Sequence, residues 1–216
     1  MPSTLDLRVL ELISARMCHD LISPISAIGN GVELITEFED EMQGEALALI
    51  GESAASASHL LQYFRAAFGT ARATDGSPLG LQEARKRATD CFGTGRIHID
   101  WPENMAPDRE PVSQLGVKLL MNMVMSAVDL LPGSGDVAVR ISSRERGLFA
   151  EVSATRAGFT LAPALRQALH GTADVAELTP RSVIAYFCWV LAAQVGGLVI
   201  TEQAGRVTLE APLNQS

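Results

Sequence analysis

Residues 16 to 30 read RMCHDLISPISAIGN, and His19, Asp20, Arg16, Ser23 and Pro24 within them form a set that can carry a phosphoryl group. An imidazole is a nucleophile near neutral pH when one ring nitrogen is held as N–H and the other keeps its lone pair. Asp20, adjacent in the chain, can hold that N–H. Arg16 and Ser23, at i−3 and i+4, share the helical face of His19 and offer a cation and a hydroxyl to an incoming anion. Pro24 has no N–H, so the carbonyl of Asp20 loses its helical partner and a bend is expected just past the reactive turn. A solitary exposed histidine is ordinarily a solvated residue and nothing more. The H-D-x-x-S-P pattern and its setting are what point to phosphorylation.

The setting is helical. Leu10, Ile13, Met17, Leu21, Ile25, Ile28, Val32 and Ile35 recur every three or four positions, as one buried stripe of a long helix does. His19 lies two residues from both Met17 and Leu21, about 200° around the axis, so it points away from that stripe into water. After an acidic turn at Glu37 to Glu41, a second helix is expected from about Gln43 to Phe68, carried by Leu47, Ile50, Ala54, Ala57, Leu61, Phe64 and Phe68. Two long helices with a short connection pack antiparallel. Leu5, Leu12, Ala15 and Ile22 lie outside the main seam. Pairing two hairpins into a four-helix bundle would cover them, so a homodimer is expected.

TARATDGSPLG, residues 70 to 80, is rich in turn formers and marks a boundary. The expected organisation is a helical hairpin over 1–70, a linker over 71–80 and an α+β domain over 81–216. In that domain helices are expected at Leu81 to Phe92, Pro111 to Leu131, Ala162 to Leu169 and Pro180 to Val195. Strands are expected at Arg96 to Trp101, Asp136 to Ser143, Leu148 to Thr155, Leu198 to Glu202 and Arg206 to Ala211. That order gives helices layered on one face of a sheet.

Composition bounds the function. The chain has 216 residues, 47% of them apolar and 19% charged, with a net charge of −8, which fits a globular protein and disfavours nucleic acid or an anionic membrane as partner. The one dense basic run, Arg85-Lys86-Arg87, reads as a solvated helix face. Cys18, Cys91 and Cys188 are odd in number and widely spaced, as buried free thiols of a reducing compartment are, which makes the cytoplasm the expected location. No signal peptide is visible. The charge-free stretch Ser182 to Ile200 is interrupted by Gln194 and Gly196-Gly197, leaving a helix of about fourteen residues, too short to span a bilayer. His19, His59, His98 and His170 show no ligand spacing with the cysteines, so no metal site is expected.

The hairpin with RMCHDLISP resembles the dimerisation and phosphoacceptor helices of two-component histidine kinases. The second half is similar in element order to their ATP-binding domain, the Bergerat fold. The whole chain, over residues 5 to 212, resembles the bacterial histidine phosphotransferases of the ChpT family, which share C-H-D-x-x-S-P and a degenerate kinase-like second domain. The kinase motifs separate carrier from kinase. Leu119 to Ala127, LLMNMVMSA, matches a kinase N-box except that Ser126 replaces a magnesium-binding Asn. The D-x-G-x-G box falls on Ala154 to Gly158, ATRAG, and the G-x-G box on Ser182 to Ile184, with the defining residues gone. Ser is a poorer ligand than Asn for a hard cation, Ala154 cannot accept from adenine, and Ile184 blocks a close backbone approach to phosphate.

The resemblance implies a phosphorelay intermediate that binds no ATP and no cofactor of its own. His19 would accept a phosphoryl group from a receiver domain of a hybrid histidine kinase. It would then pass the group to response-regulator receivers of a cell-cycle circuit, with Mg²⁺ supplied by the receiver. Asp20 would orient the ring, and Arg16 would steady the phosphoryl charge or meet the receiver's acidic rim. Receiver docking is expected on Cys18, Ile22, Ser23 and Ser26, with Tyr63 from the second helix, while Phe64 reads as bundle core. Two rivals carry different expectations: an ATP-dependent histidine or anti-sigma-type kinase would bind nucleotide, and a non-enzymatic receiver-binding adaptor would not need His19.

Overall fold

The computed structural model describes residues 6–37, 43–70, 76–93, 95–103, 112–145 and 147–214. Two long helices lead: α1, Leu7–Glu37, and α2, Gln43–Ala67. α1 continues through Pro24. Where the two cross most closely Gly31 is buried, and a Cβ there would meet Cγ1 of Ile50 at 2.6 Å. The expected acidic turn falls, beyond Glu37, outside the described residues, as do residues 71–75 of the expected linker.

The α+β layer follows as α3 (Leu81–Phe92), β1 (Ile97–Asp100), α4 (Gln114–Leu130), β2 (Gly135–Arg144), β3 (Gly147–Thr155), α5 (Pro163–Leu169), α6 (Val183–Ala192), β4 (Val199–Gln203) and β5 (Arg206–Pro212). The sheet runs β1-β2-β3-β5-β4, with β1 parallel to β2 and the other pairs antiparallel. Val152 pairs with Val139 on one side and Leu209 on the other, and all three are fully buried. This is the alternation expected of strands with one covered face.

What covers that face is α4. It is buried without a break from Leu119 to Ala127, because it packs on the sheet on one side and on α2, α3 and α6 on the others. A helix apolar all round is a core helix. It begins at Gln114, later than the sequence suggested: Ser113 caps it, its Oγ accepting from the Gly116 N–H at 2.9 Å and donating to the Leu213 carbonyl at 2.8 Å. α6 is likewise shorter than expected. No helix among the described residues is long and apolar enough to cross a membrane.

Two expectations are corrected. Arg87 is not on a solvated face: it is buried, pairs with Glu83 at 3.0 Å and donates to the Gln62 carbonyl of α2 at 3.3 Å. A long side chain can tie two elements together as readily as it can reach water. Of the three thiols only Cys188 is fully buried, and Cys18 is exposed. Burial pushes the Cys91 and Cys188 thiols up to about 12.

Candidate functional site

His19 stands at the middle of α1 with its side chain 83% exposed. Its Nδ1 lies 3.1 Å from Oδ1 of Asp20. A carboxylate oxygen accepts, so in the neutral ring the proton sits on Nδ1 and Nε2 keeps a lone pair directed at solvent. The other Asp20 oxygen, Oδ2, accepts from Nε of Arg16 at 2.7 Å. Arg16 then turns its remaining edge toward α4, where Nη2 and Nη1 reach Oδ1 and Oδ2 of Asp129 at 2.8 and 3.3 Å. Four side chains thus form one unbranched chain, His19–Asp20–Arg16–Asp129, running from water into the interface between the hairpin and the α+β layer.

The magnitudes show which link is strong. An i,i+4 Arg–Asp pair on an open helix contributes only about 0.3–0.5 kcal/mol. Here the guanidinium is 18% exposed and its second acid 10% exposed, so a two-point fork fixes the arginine before Asp20 is considered. Burial works to lower Arg16, but Asp129 and Asp20 outweigh it and hold the guanidinium up. Asp129 lies deeper, and there burial prevails over the pull of Arg16 and Arg181, pushing its carboxyl up to about 6. Asp129 also sits in the last turn of α4, the negative end of the helix dipole. It is the only acid in that helix, and that isolation within an apolar run was the one signal sequence reading could have used.

Around this chain lies a cleft of about 680 Å³, lined by Arg16, His19, Asp20, Asp129 and Arg181 among others. Cys18, Ile22, Ser23 and Ser26 are exposed on α1, beside or on the face of His19. Tyr63 is not with them. It is fully buried, its hydroxyl donating to the Met121 carbonyl of α4 at 2.5 Å and its ring edge-on to Phe92. A phenol in an apolar seam needs a partner for its O–H, and α4 supplies one, so Tyr63 offers no surface to a second protein. Phe64 is core, and Arg16 is committed to two carboxylates and does not point free into the cleft.

The same seam is fastened elsewhere. Asn122 donates from Nδ2 to the Ala67 carbonyl of α2 at 2.8 Å, and Arg8 donates to the Val175 carbonyl at 3.1 Å. The hairpin and the α+β layer are therefore packed as one body through α2, α3 and α4. Elsewhere the hairpin leaves apolar surface open: Leu7, Leu10, Ile25 and Val32 on α1 and Leu47 and Leu61 on α2 are each about half exposed or more. Leu10, Ile25 and Val32 of the expected α1 stripe are thus uncovered within one chain.

The three positions on which the sequence resemblance sets the kinase motifs lie inside the α+β layer. Ser126, Ala154 and Ile184 are buried in the core. A second cleft of about 330 Å³ lies between α4, α5 and the start of α6. Among the described residues no group of three or more His, Cys, Asp or Glu side chains is placed to hold a metal ion.

Comparison with known proteins agrees with this geometry. The family model for the histidine phosphotransferase C-terminal domain matches residues 81–207. The chain is 32% identical over 195 residues to the protein phosphotransferase ChpT of Brucella abortus (strain 2308), covering 90% of this chain and 88% of that protein. It superposes on the solved 1.7 Å structure of a bacterial phosphotransferase with a TM-score of 0.79 and 30% identity, over 98% of this chain and 99% of that one. Matched over its α+β layer by the family model and over nearly its whole length by the relative and the solved structure, the chain belongs to the ChpT family of histidine phosphotransferases.

Proposed function

We propose that this protein is a phosphorelay carrier that accepts a phosphoryl group on Nε2 of His19 from one receiver domain and delivers it to another without ATP. The observation that carries the reading is the exposed His19 ring whose Nδ1 is held by Asp20. The Nε2 lone pair attacks phosphorus of a receiver's aspartyl phosphate, the N–P bond forms, and the P–O bond to the aspartate breaks with departure of its carboxylate. The ring becomes an N-phosphoryl imidazolium that keeps its Nδ1 proton, and the Asp20 carboxylate faces that new positive charge. Delivery is the same step reversed on a second receiver. Both bonds are energy-rich, so positioning and electrostatics suffice for catalysis.

The receiver brings the Mg²⁺ and meets the exposed face around Cys18, Ile22, Ser23 and Ser26. The donor is the receiver of a hybrid kinase and the acceptors are response regulators, in the cytoplasm. Two copies pair through the open apolar residues of α1 and α2, where Leu47 and Leu61 stand two heptads apart, as in a four-helix bundle. Sedimentation should give a dimer for the wild type and a folded monomer for Val32→Asp, which puts a charge into that face far from His19.

The test of transfer mixes the protein, free of nucleotide, with a receiver phosphorylated on its Asp and follows label. Label on the wild type and none on His19→Ala supports the carrier. Equal partner binding with no label on either supports the adaptor, and label only on adding ATP supports a kinase.

A further inference from the structure

We propose that Asp129 is a positioning residue for phosphoryl transfer: through Arg16 it fixes the Asp20 carboxylate on Nδ1 of His19, so the α+β layer sets the tautomer and aim of the ring. The inference rests on the phosphoacceptor reading of His19 and gives the layer that has lost its kinase motifs a present task.

Geometry carries it. Each oxygen of Asp20 has a single assignment, Oδ1 to His19 Nδ1 and Oδ2 to Arg16 Nε. Each edge of Arg16 likewise has one, Nε to Asp20 and the Nη pair to Asp129. Rotating the guanidinium away from Asp129 therefore releases Asp20, and a released Asp20 releases the ring. The His19 side chain itself is 83% exposed, so packing does not orient it. The only described hydrogen bond on its ring is the one Nδ1 donates to Asp20.

The alternative to this role is a purely structural ion pair, and its placement argues against that. Asp129 is 10% exposed, at the wrong end of a helix for an anion, and faces Arg16 and Asp20 of α1 and Arg181 ahead of α6. A buried ion pair is poor evidence of stabilisation, and 113 residues separate Arg16 from Asp129. What the pair does supply is a fixed arginine on the turn that bears the histidine. A chemically neutral consequence follows for the ring: if Asp20 lets go, the Nε2–H tautomer gains population, and that form presents no lone pair outward.

The experiment compares intact wild type, Asp129→Asn and Asp129→Glu by two readouts. The first is the rate of label transfer from a phosphorylated receiver to His19. The second is the ¹⁵N NMR signature of the His19 ring, which reports the tautomer and needs no receiver. In folded Asp129→Asn, transfer should fall roughly tenfold or more, with the ring shifting toward the Nε2–H form. Asp129→Glu, which has room in the adjoining cleft, should recover part of both. Unchanged tautomer and rate in folded Asp129→Asn would overturn the proposal.

Should Asp129→Asn unfold, Arg16→Lys takes its place, since an ammonium keeps the charge but cannot bridge both acids. The same two readouts must move, and their constancy would overturn the proposal equally. A wild type that takes no label from any receiver would sink the carrier reading, while the tautomer comparison would still decide the role of Asp129.

Discussion

Two regions of this molecule handle polar groups in opposite ways. At the reactive turn of α1, an open histidine is backed by a chain of polar groups in which each oxygen and each guanidinium edge has one partner. In the α+β layer, Ser126, Ala154 and Ile184, on which the sequence resemblance sets the kinase motifs, are all buried. The first region spends stability to keep a site, including an acid buried at a helix C-terminus. The second is core. The difference teaches where a site is built: polar groups held at a desolvation penalty with each oxygen and donor assigned keep a reactive turn in order, and burial among apolar neighbours makes core.

The comparison can be broken at either end. Replacing His19 by Ala should abolish phosphoryl acceptance altogether while shifting unfolding by less than about 0.5 kcal/mol, because the side chain is exposed; label uptake and a denaturant titration measure the two. Restoring an acid in the filled region, Ala154→Asp, should do the reverse. It puts an unpaired charge into the core and should lower stability by about 3 kcal/mol or more without creating ATP binding. Measurable nucleotide affinity in that variant, with the fold intact, would show the region is less committed to core than its burial indicates.

Smaller changes sharpen it. Asp20→Asn leaves an oxygen to accept from Nδ1 but removes the charge facing the imidazolium. A charge-assisted hydrogen bond is worth about 1.5–3 kcal/mol, so transfer should slow by roughly ten- to a hundredfold with receiver binding unchanged. The least effect is one of pH. Asp129 is raised in the folded chain to about 6 from an ordinary value near 3.8. Between those values the native state therefore binds a proton that the unfolded chain does not. The stability of wild type relative to Asp129→Asn should grow as pH falls from about 6 toward about 4, and stay level above. Denaturant midpoints of the two proteins across that window check the sign.

Much of this was legible from residue order. The spacing of Met17, Leu21 and their neighbours set His19 on the open side of α1, and the alternation in β2 and β3 gave strands that the structure extends by one residue at three of their four ends. What escaped was tertiary. Tyr63 was expected at a partner surface because a helical wheel of α2 alone cannot show that α4 packs against that side. Arg87 lay in a run of three basic residues, and only the docking of α3 on α2 takes it out of water. Asp129 was passed over for a related reason. It is one acid in an apolar helix, and its meaning appears when α1 brings Arg16 to it across 113 residues.

The most direct test of the central claim is a relay with two receivers and no nucleotide. One receiver, phosphorylated on its Asp, is mixed with a second, unphosphorylated receiver in the presence of this protein, and label is followed on all three. The account predicts that label passes through an acid-labile, base-stable adduct on His19 and reaches the second receiver, and that His19→Ala stops it. Label that reaches the second receiver equally well with His19→Ala, or that enters the wild type only when ATP is added, would contradict it.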